Sequence, residues 1–242
     1  MFVIENATLE DFKRLKDYAQ QVDSIPQFEL NLKDTVENFN VNQNEISFEF
    51  QSDFKLNREV RGKTIPYVFS YRAKVWCWFA DKGNYMLIFG NSEAAKYISG
   101  KLEKIVNQLR KDAEDSRDEE SEMQEIRIEK LSLDTDTLLR IVQDDFIRIN
   151  NSWWKKIGEE VKSAFLSGRL KRKESDDQVD ENEIYREIEE KAKDVTSVNF
   201  LSEKLGHNII ISRKQGSLGA ATDKIGEQDL IRYFKEKIYP YI

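Results

Sequence analysis

The chain has 242 residues, 39% hydrophobic and 34% charged, with a formal net charge of −7. That length holds one large domain or two small ones with a sizeable core, and no apolar run approaches the ~20 residues that cross a bilayer. Met1-Phe2-Val3-Ile4 runs straight into Glu5 and Asn6, so no signal peptide is expected, and the single cysteine excludes an internal disulfide and a cysteine-rich zinc site. These features predict a cytoplasmic protein with no membrane attachment and no cofactor.

The charge is unevenly laid out. Residues 112–125 hold eight acids and one base, and residues 174–190 hold nine acids and one base. The two runs carry −7 and −8, which leaves +8 on the remainder. Local charge decides partners better than the net sum does.

In chain order, Phe2-Val3-Ile4 reads as a short strand. Thr8 is a candidate N-cap, and Leu9, Phe12, Leu15, Ala19 and Val22 recur at helical spacing, which predicts a helix ending near Asp23-Ser24, before Pro26. Residues 27–44 admit two readings: Phe28 to Leu32 alternates like a strand, whereas Asp34 to Phe39 also suits a helical turn. Ile46, Phe48 and Phe50 alternate with Ser47 and Glu49 in a strand whose furthest extension is Leu56. Arg58 to Lys63 reads as a basic turn.

Ile65 to Phe89 then predicts a hairpin, rich in the aromatic and β-branched residues that suit a pleated surface. Its turn is placed at Asp81-Lys82-Gly83-Asn84, where Lys82-Gly83-Asn84 tolerate positive φ. Alternation puts Tyr67, Phe69, Tyr71, Ala73, Val75, Cys77 and Phe79 on one face, apolar enough for a core. Val68, Ser70, Arg72, Lys74, Trp76 and Trp78 share the other. Two cations followed by two indoles combine charge with stacking area, as sheet faces that hold single-stranded nucleic acid do. The plainer reading is that both indoles pack under a helix, with the stems of Arg72 and Lys74 lying over them.

Asn91 or Ser92 caps the next helix, whose stripe is Ala95, Ile98, Leu102, Ile105, Val106 and Leu109; Gly100 interrupts it, as a close packing contact would. The acidic run at 112–125 reads as a linker or loop. Ile126 and Ile128 alternate in a strand extending towards Leu133, and Asp134 caps a helix carrying Leu138, Leu139 and Val142. Phe146 to Ile149 suits a strand. From Asn151-Ser152 the stripe Trp154, Ile157, Val161 and Phe165 predicts a helix. Arg169, Lys171, Arg172 and Lys173 form a basic cluster that leads into the second acidic run, a solvated and mobile stretch near 171–183. A helix is expected next over Ile184, Tyr185, Ile188 and Ala192. Val198 and Phe200 mark a strand, Gly206-His207-Asn208 a turn, Ile209 to Ile211 a buried strand, Gln215 to Gly219 a loop, and Gly226 the start of a final helix with Leu230, Ile231, Phe234 and Ile238.

The strand-strand-helix order predicts an α+β fold: an antiparallel-rich sheet with helices packed on it. The halves fall at 1–111 and 126–242, joined by 112–125. AAKYISGKLEKI and LIRYFKEKI each come after paired strands, so two degenerate β-β-α halves are one reading of the order.

No catalytic motif is present. His207, the one histidine, sits in an ordinary surface turn, and Cys77 on the core face is a small buried hydrophobe. No phosphate loop or dinucleotide fingerprint occurs. Carboxylate pairs that suit magnesium are Asp134 with Asp136, Asp144 with Asp145, and Glu125 with Glu129 beside Lys130; with 45 acids in the chain, such pairs arise by chance. The leading expectation is a non-catalytic binder that holds nucleic acid on Arg72, Lys74, Trp76 and Trp78, with Arg169, Lys171, Arg172 and Lys173. The alternatives are a protein adaptor using Trp153 and Trp154 and a magnesium-dependent nuclease or phosphoesterase.

Overall fold

The computed structural model describes residues 1–25, 30–114, 124–157, 161–171, 192–220 and 222–242. The chain forms two compact units, Met1–Lys130 and Leu131–Ile242, each with an antiparallel sheet and helices, so the fold is α+β as expected.

The first unit opens with strand β1 (Phe2–Glu5) and the short helix α1 (Leu9–Lys13). Thr8 closes a capping box with Asp11: its hydroxyl accepts from the Asp11 N–H at 3.4 Å, and the Asp11 carboxylate accepts from the Thr8 N–H at 2.7 Å. The helix is far shorter than its sequence pattern predicts. Asp17 takes a positive φ of 59°, and Ala19–Ile25 becomes strand β2 instead. Leu9, Phe12 and Leu15 fill one and a half turns; beyond them the chain is claimed by the ladder to β3 (Leu30–Asn42). The helical alternative for 34–39 also gives way to that strand, which bulges at Asn38, φ 54°.

Strands β4 (Glu45–Val60) and β5 (Lys63–Ala80) form a long hairpin, and β6 (Gly83–Phe89) comes after a two-residue turn, Asp81-Lys82. Helix α2 (Ser92–Glu114) is capped by Asn91, whose side chain accepts from the Ala94 N–H at 2.8 Å. It therefore takes in the first three residues of the acidic run; 115–123 lie outside the described residues. Strand β7 (Arg127–Lys130) pairs with β1, which moves this stretch from the expected second half into the first sheet. The strand order is β2-β3-β4-β5-β6-β1-β7.

One face of this sheet carries α2. Ile46, Phe48 and Phe50 of β4, Ala73, Val75 and Cys77 of β5, and Met86 of β6 meet Ile98, Leu102, Ile105 and Val106 of the helix, with Phe12 and Leu15 closing one end. Each fully buried aliphatic or aromatic side chain is worth about 1.5–3 kcal/mol. Gly100, by contrast, is exposed, and a β-carbon there would meet nothing within 4 Å, so it marks no close packing contact.

The second unit begins with helix α3 (Thr135–Gln143), capped by Asp134, which accepts from the Thr137 N–H at 2.6 Å. Strands β8 (Phe146–Ile157) and β9 (Val161–Lys171) replace the helix predicted from Asn151. Strands β10 (Ala192–Ser202), β11 (Asn208–Ser212) and β12 (Ser217–Ala220) complete a sheet of order β12-β11-β10-β8-β9. The predicted loop at 215–219 is thus a turn ending at Gly216, φ 54°, and then a strand. Helix α4 (Glu227–Tyr233) starts at Gly226 as expected and continues through a π turn, Phe234–Ile238. The helix expected over Ile184 to Ala192 falls mostly outside the described residues, although Ala192 itself opens β10.

Among the described residues both units run helix, five strands, helix: α1, β2 to β6, α2 in the first and α3, β8 to β12, α4 in the second. The pairing differs. In the first unit β2 to β6 pair in chain order, whereas β10 pairs with β8.

Candidate functional site

Two surfaces of the first unit are candidates for a functional site. The first is the sheet face opposite α2. The ladder places Arg72, Lys74, Trp76 and Trp78 together on it, as alternation predicts: Arg72 faces Gln51, Lys74 faces Glu49, Trp76 faces Ser47 and Trp78 faces Glu45. The Arg72 guanidinium donates to Glu49 through Nε at 3.1 Å and Nη2 at 2.6 Å, and approaches Glu37 at 3.4 Å. The hydrogen bond from Arg72, joined by one from Asn38, holds the Glu49 carboxyl below the usual carboxylate range. Trp76 donates its indole N–H to Glu45 at 2.9 Å. Arg72 therefore meets two carboxylates, Glu37 and Glu49, and Trp76 a third, Glu45, so the face carries three acids beside its two cations.

The indoles are also committed. Trp76 is only 4% exposed, with its ring 6.1 Å from that of Trp78 and inclined by 29°. Trp78 is half-buried and lies 6.4 Å from Tyr85. A buried, stacked indole presents no open face to a nucleobase.

The second surface is the far end of the β4–β5 hairpin. From Asp53↔Ser70 to Val60↔Lys63, eight pairs run without a register shift, and no third strand is paired with them among the described residues. At 3.4 Å per residue this arm is ~27 Å long. It closes in the two-residue turn Arg61-Gly62, where φ is 51° and 76°. Positive φ at both positions is the twist-matched hairpin turn, and glycine supplies the second at no steric cost. The expected broad basic turn over 58–63 is thus mostly strand.

The root of the arm is fixed on both faces. On one, the rings of Phe54, Phe69, Tyr71 and the α2 residue Tyr97 cluster with centroids 5.0–5.4 Å apart. Beside them the buried Asp34 carboxylate accepts from Ser52 at 2.6 Å and from Lys101 at 2.9 Å, and the Ser52 and Tyr97 hydroxyls lie 3.2 Å apart. On the other face Asp53 accepts from Ser70 at 2.6 Å and Gln51 at 3.0 Å. Burial alone would raise the Asp53 carboxyl, but these bonds and one from the Lys33 N–H hold it below its ordinary value.

Beyond that root the side chains face solvent. Tyr67 and Phe69, placed by alternation on the core face, are 43% and 42% exposed, because α2 covers β5 only as far as Tyr71. Leu56, Val60 and Ile65 are exposed on the same face. Arg58 and Lys63 also stand on it, Arg61 sits at the turn and Lys55 lies on the reverse. Across residues 53–70 four cations stand against two acids, Asp53 at the root and Glu59, net +2. None of the four forms an ion pair among the described residues. The sequence signal for this arm was the basic run at 58–63; the loss of helix cover over Tyr67 and Phe69 had none.

The remaining candidates fall elsewhere. Trp153 and Trp154 lie in β8, in register with Ser197 and Val195 of β10, so their helical stripe with Ile157, Val161 and Phe165 is not formed. Arg169 and Lys171 lie in β9; Arg172 and Lys173 are outside the described residues. Among the carboxylates, Asp134 is a helix cap, Asp144 pairs with Lys237 at 3.1 Å, and the buried Asp145 accepts from Ser202, from Tyr233 at 2.8 Å and from the Lys204 N–H at 2.9 Å. No group of three His, Cys, Asp or Glu residues placed to hold a metal occurs among the described residues. His207 uses its backbone carbonyl to accept from the Ser202 N–H at 3.0 Å in the β10–β11 turn. No helix among the described residues is long and apolar enough to cross a membrane.

Comparison with protein-family models, with curated proteins and with solved structures gives no match.

Proposed function

We propose that the protein is a non-catalytic nucleic-acid-binding protein whose contact element is the β4–β5 arm. The observation that carries this reading is the arm's four cations, net +2, displayed on a ribbon that is rigid at its root and bare along its length. Cations of this kind bind phosphates and release counterions, so affinity falls steeply with salt. The face of Arg72, Lys74, Trp76 and Trp78 is the weaker contact surface, since Glu37, Glu45 and Glu49 neutralise it and Trp76 is buried.

The direct test is fluorescence anisotropy of labelled single- and double-stranded oligonucleotides titrated with protein at low and moderate salt. Binding that weakens with salt is expected. No binding at low salt by folded protein would end this reading. The exposed apolar strip of Leu56, Val60, Ile65, Tyr67 and Phe69 would then support the second one, a protein adaptor, because such a strip buries well against an apolar partner.

A further inference from the structure

We infer that the arm's ligand is duplex DNA, with the Arg61-Gly62 turn entering the major groove; the inference rests on the nucleic-acid reading above. Three features separate a duplex from a single strand. The first is width. Eight uninterrupted pairs and a two-residue turn keep the arm two strands wide up to its tip. The major groove of B-form DNA, about 12 Å wide, admits a two-stranded β-ribbon.

The second feature is where the cations point. Arg58 and Lys63 stand on one face of the ribbon, Lys55 on the other and Arg61 at the tip. Charges on both faces suit a slot with phosphates along both walls. A single strand lying on one face would meet only part of them.

The third feature is the state of the aromatic rings. Single strands are held by bases stacking on open aromatic faces. Phe69, though 42% exposed, packs against Phe54 at 5.2 Å and against Tyr71 at 5.0 Å at the root, which leaves Tyr67, 43% exposed, as one open ring rather than a row of platforms for successive bases. Phe54, Phe69 and Tyr71 thus brace the arm. Duplex RNA is disfavoured as well, because its major groove is deep, narrow and closed to side chains.

The test compares a labelled DNA duplex of about two helical turns with its separate strand and with the RNA duplex of the same sequence, at one salt concentration. The duplex DNA is expected to bind at least tenfold tighter than either. Guanine N7 in the bound duplex is expected to be protected from methylation by dimethyl sulfate, since that atom lies in the major groove. The variant R58A/R61A/K63A, at exposed positions, should lose at least tenfold in duplex affinity while its circular dichroism and melting temperature stay at wild-type values. Equal or tighter binding of the single strand or of duplex RNA would overturn the duplex inference and leave the nucleic-acid reading standing. Tight duplex binding with N7 unprotected would overturn entry through the major groove. Unchanged duplex affinity of the variant would overturn the role of the arm. Absence of binding to all three ligands would overturn both readings.

Discussion

Arg110 near the end of α2 and Asp11 in α1, 99 residues apart in sequence, are buried against each other: Arg110 Nε donates to Asp11 at 3.0 Å and its Nη2 to the second carboxylate oxygen. The same guanidinium donates to the carbonyls of Asn6 at 2.8 Å and Gln124 at 3.2 Å. One side chain thus ties the first turn of the unit, its long helix and the approach to β7. Removing either partner strands a buried charge, so Arg110→Ala or Asp11→Ala should each cost about 3–5 kcal/mol in urea denaturation. A loss below about 1 kcal/mol would show that water reaches the site and screens the pair.

The same pair sets an acid limit. Burial would raise the Asp11 carboxyl, but the hydrogen bonds from Arg110 and Thr8 outweigh it, and its value is held below the ordinary one. A carboxyl lowered on folding contributes stability above its unfolded value, about 3.9, and that contribution is lost as pH falls through the folded value. Stability of the wild type should therefore drop below about pH 4, and Asp11→Asn should show a shallower drop there.

Gly100 offers a gain. It is exposed within α2, and an added methyl meets no atom within 4 Å. Gly100→Ala should stabilise the protein by about 1 kcal/mol through helix propensity and a less flexible unfolded chain. Thermal melting should rise by a few degrees; a fall would place a neighbour against that position.

The two indoles of β5 should separate by mutation. Trp76 is buried and donates to Glu45, so Trp76→Ala should cost about 3–5 kcal/mol, as large-to-small core changes do. Trp78→Ala should cost less, since that ring is half-buried. Equal and small losses for both would restore the indole face as an open surface.

Cys77 should be inert. It is fully buried in the core beneath α2, and burial pushes its thiol up. Only the thiolate reacts readily, so Ellman's reagent should label it on the timescale of unfolding. Stoichiometric labelling within seconds in native buffer would contradict the burial.

The residues that announced themselves did so through local chemistry. Thr8, Asn91 and Asp134 cap helices because each has a side-chain oxygen one turn ahead of an apolar stripe. Ile46, Phe48 and Phe50 alternate because one face of β4 is core and the other is not. The failures were long-range. Ala19 and Val22 continue a helical period, yet they belong to the strand that pairs with β3, a partner the local pattern does not reveal. Ile157, Val161 and Phe165 fit a helical stripe equally well, and only the β8–β9 ladder decides otherwise. Tyr67 and Phe69 share their parity with Ala73 and Val75, so alternation assigns them to the core. Their exposure depends on where α2 crosses the sheet, which no residue near them encodes. The candidate site was thus half legible: the basic run at 58–63 was visible, and the arm that carries it was not.

The most direct measurement is the slope of log affinity against log salt for one DNA ligand, compared between wild type and R58A/R61A/K63A. Each lysine or arginine that contacts a phosphate adds about 1 to that slope. If the arm is the contact element, the variant's slope should be shallower by about 3, with binding weakened at every salt concentration. An unchanged slope and unchanged affinity in a folded variant would place the nucleic acid elsewhere on the protein and contradict the central claim.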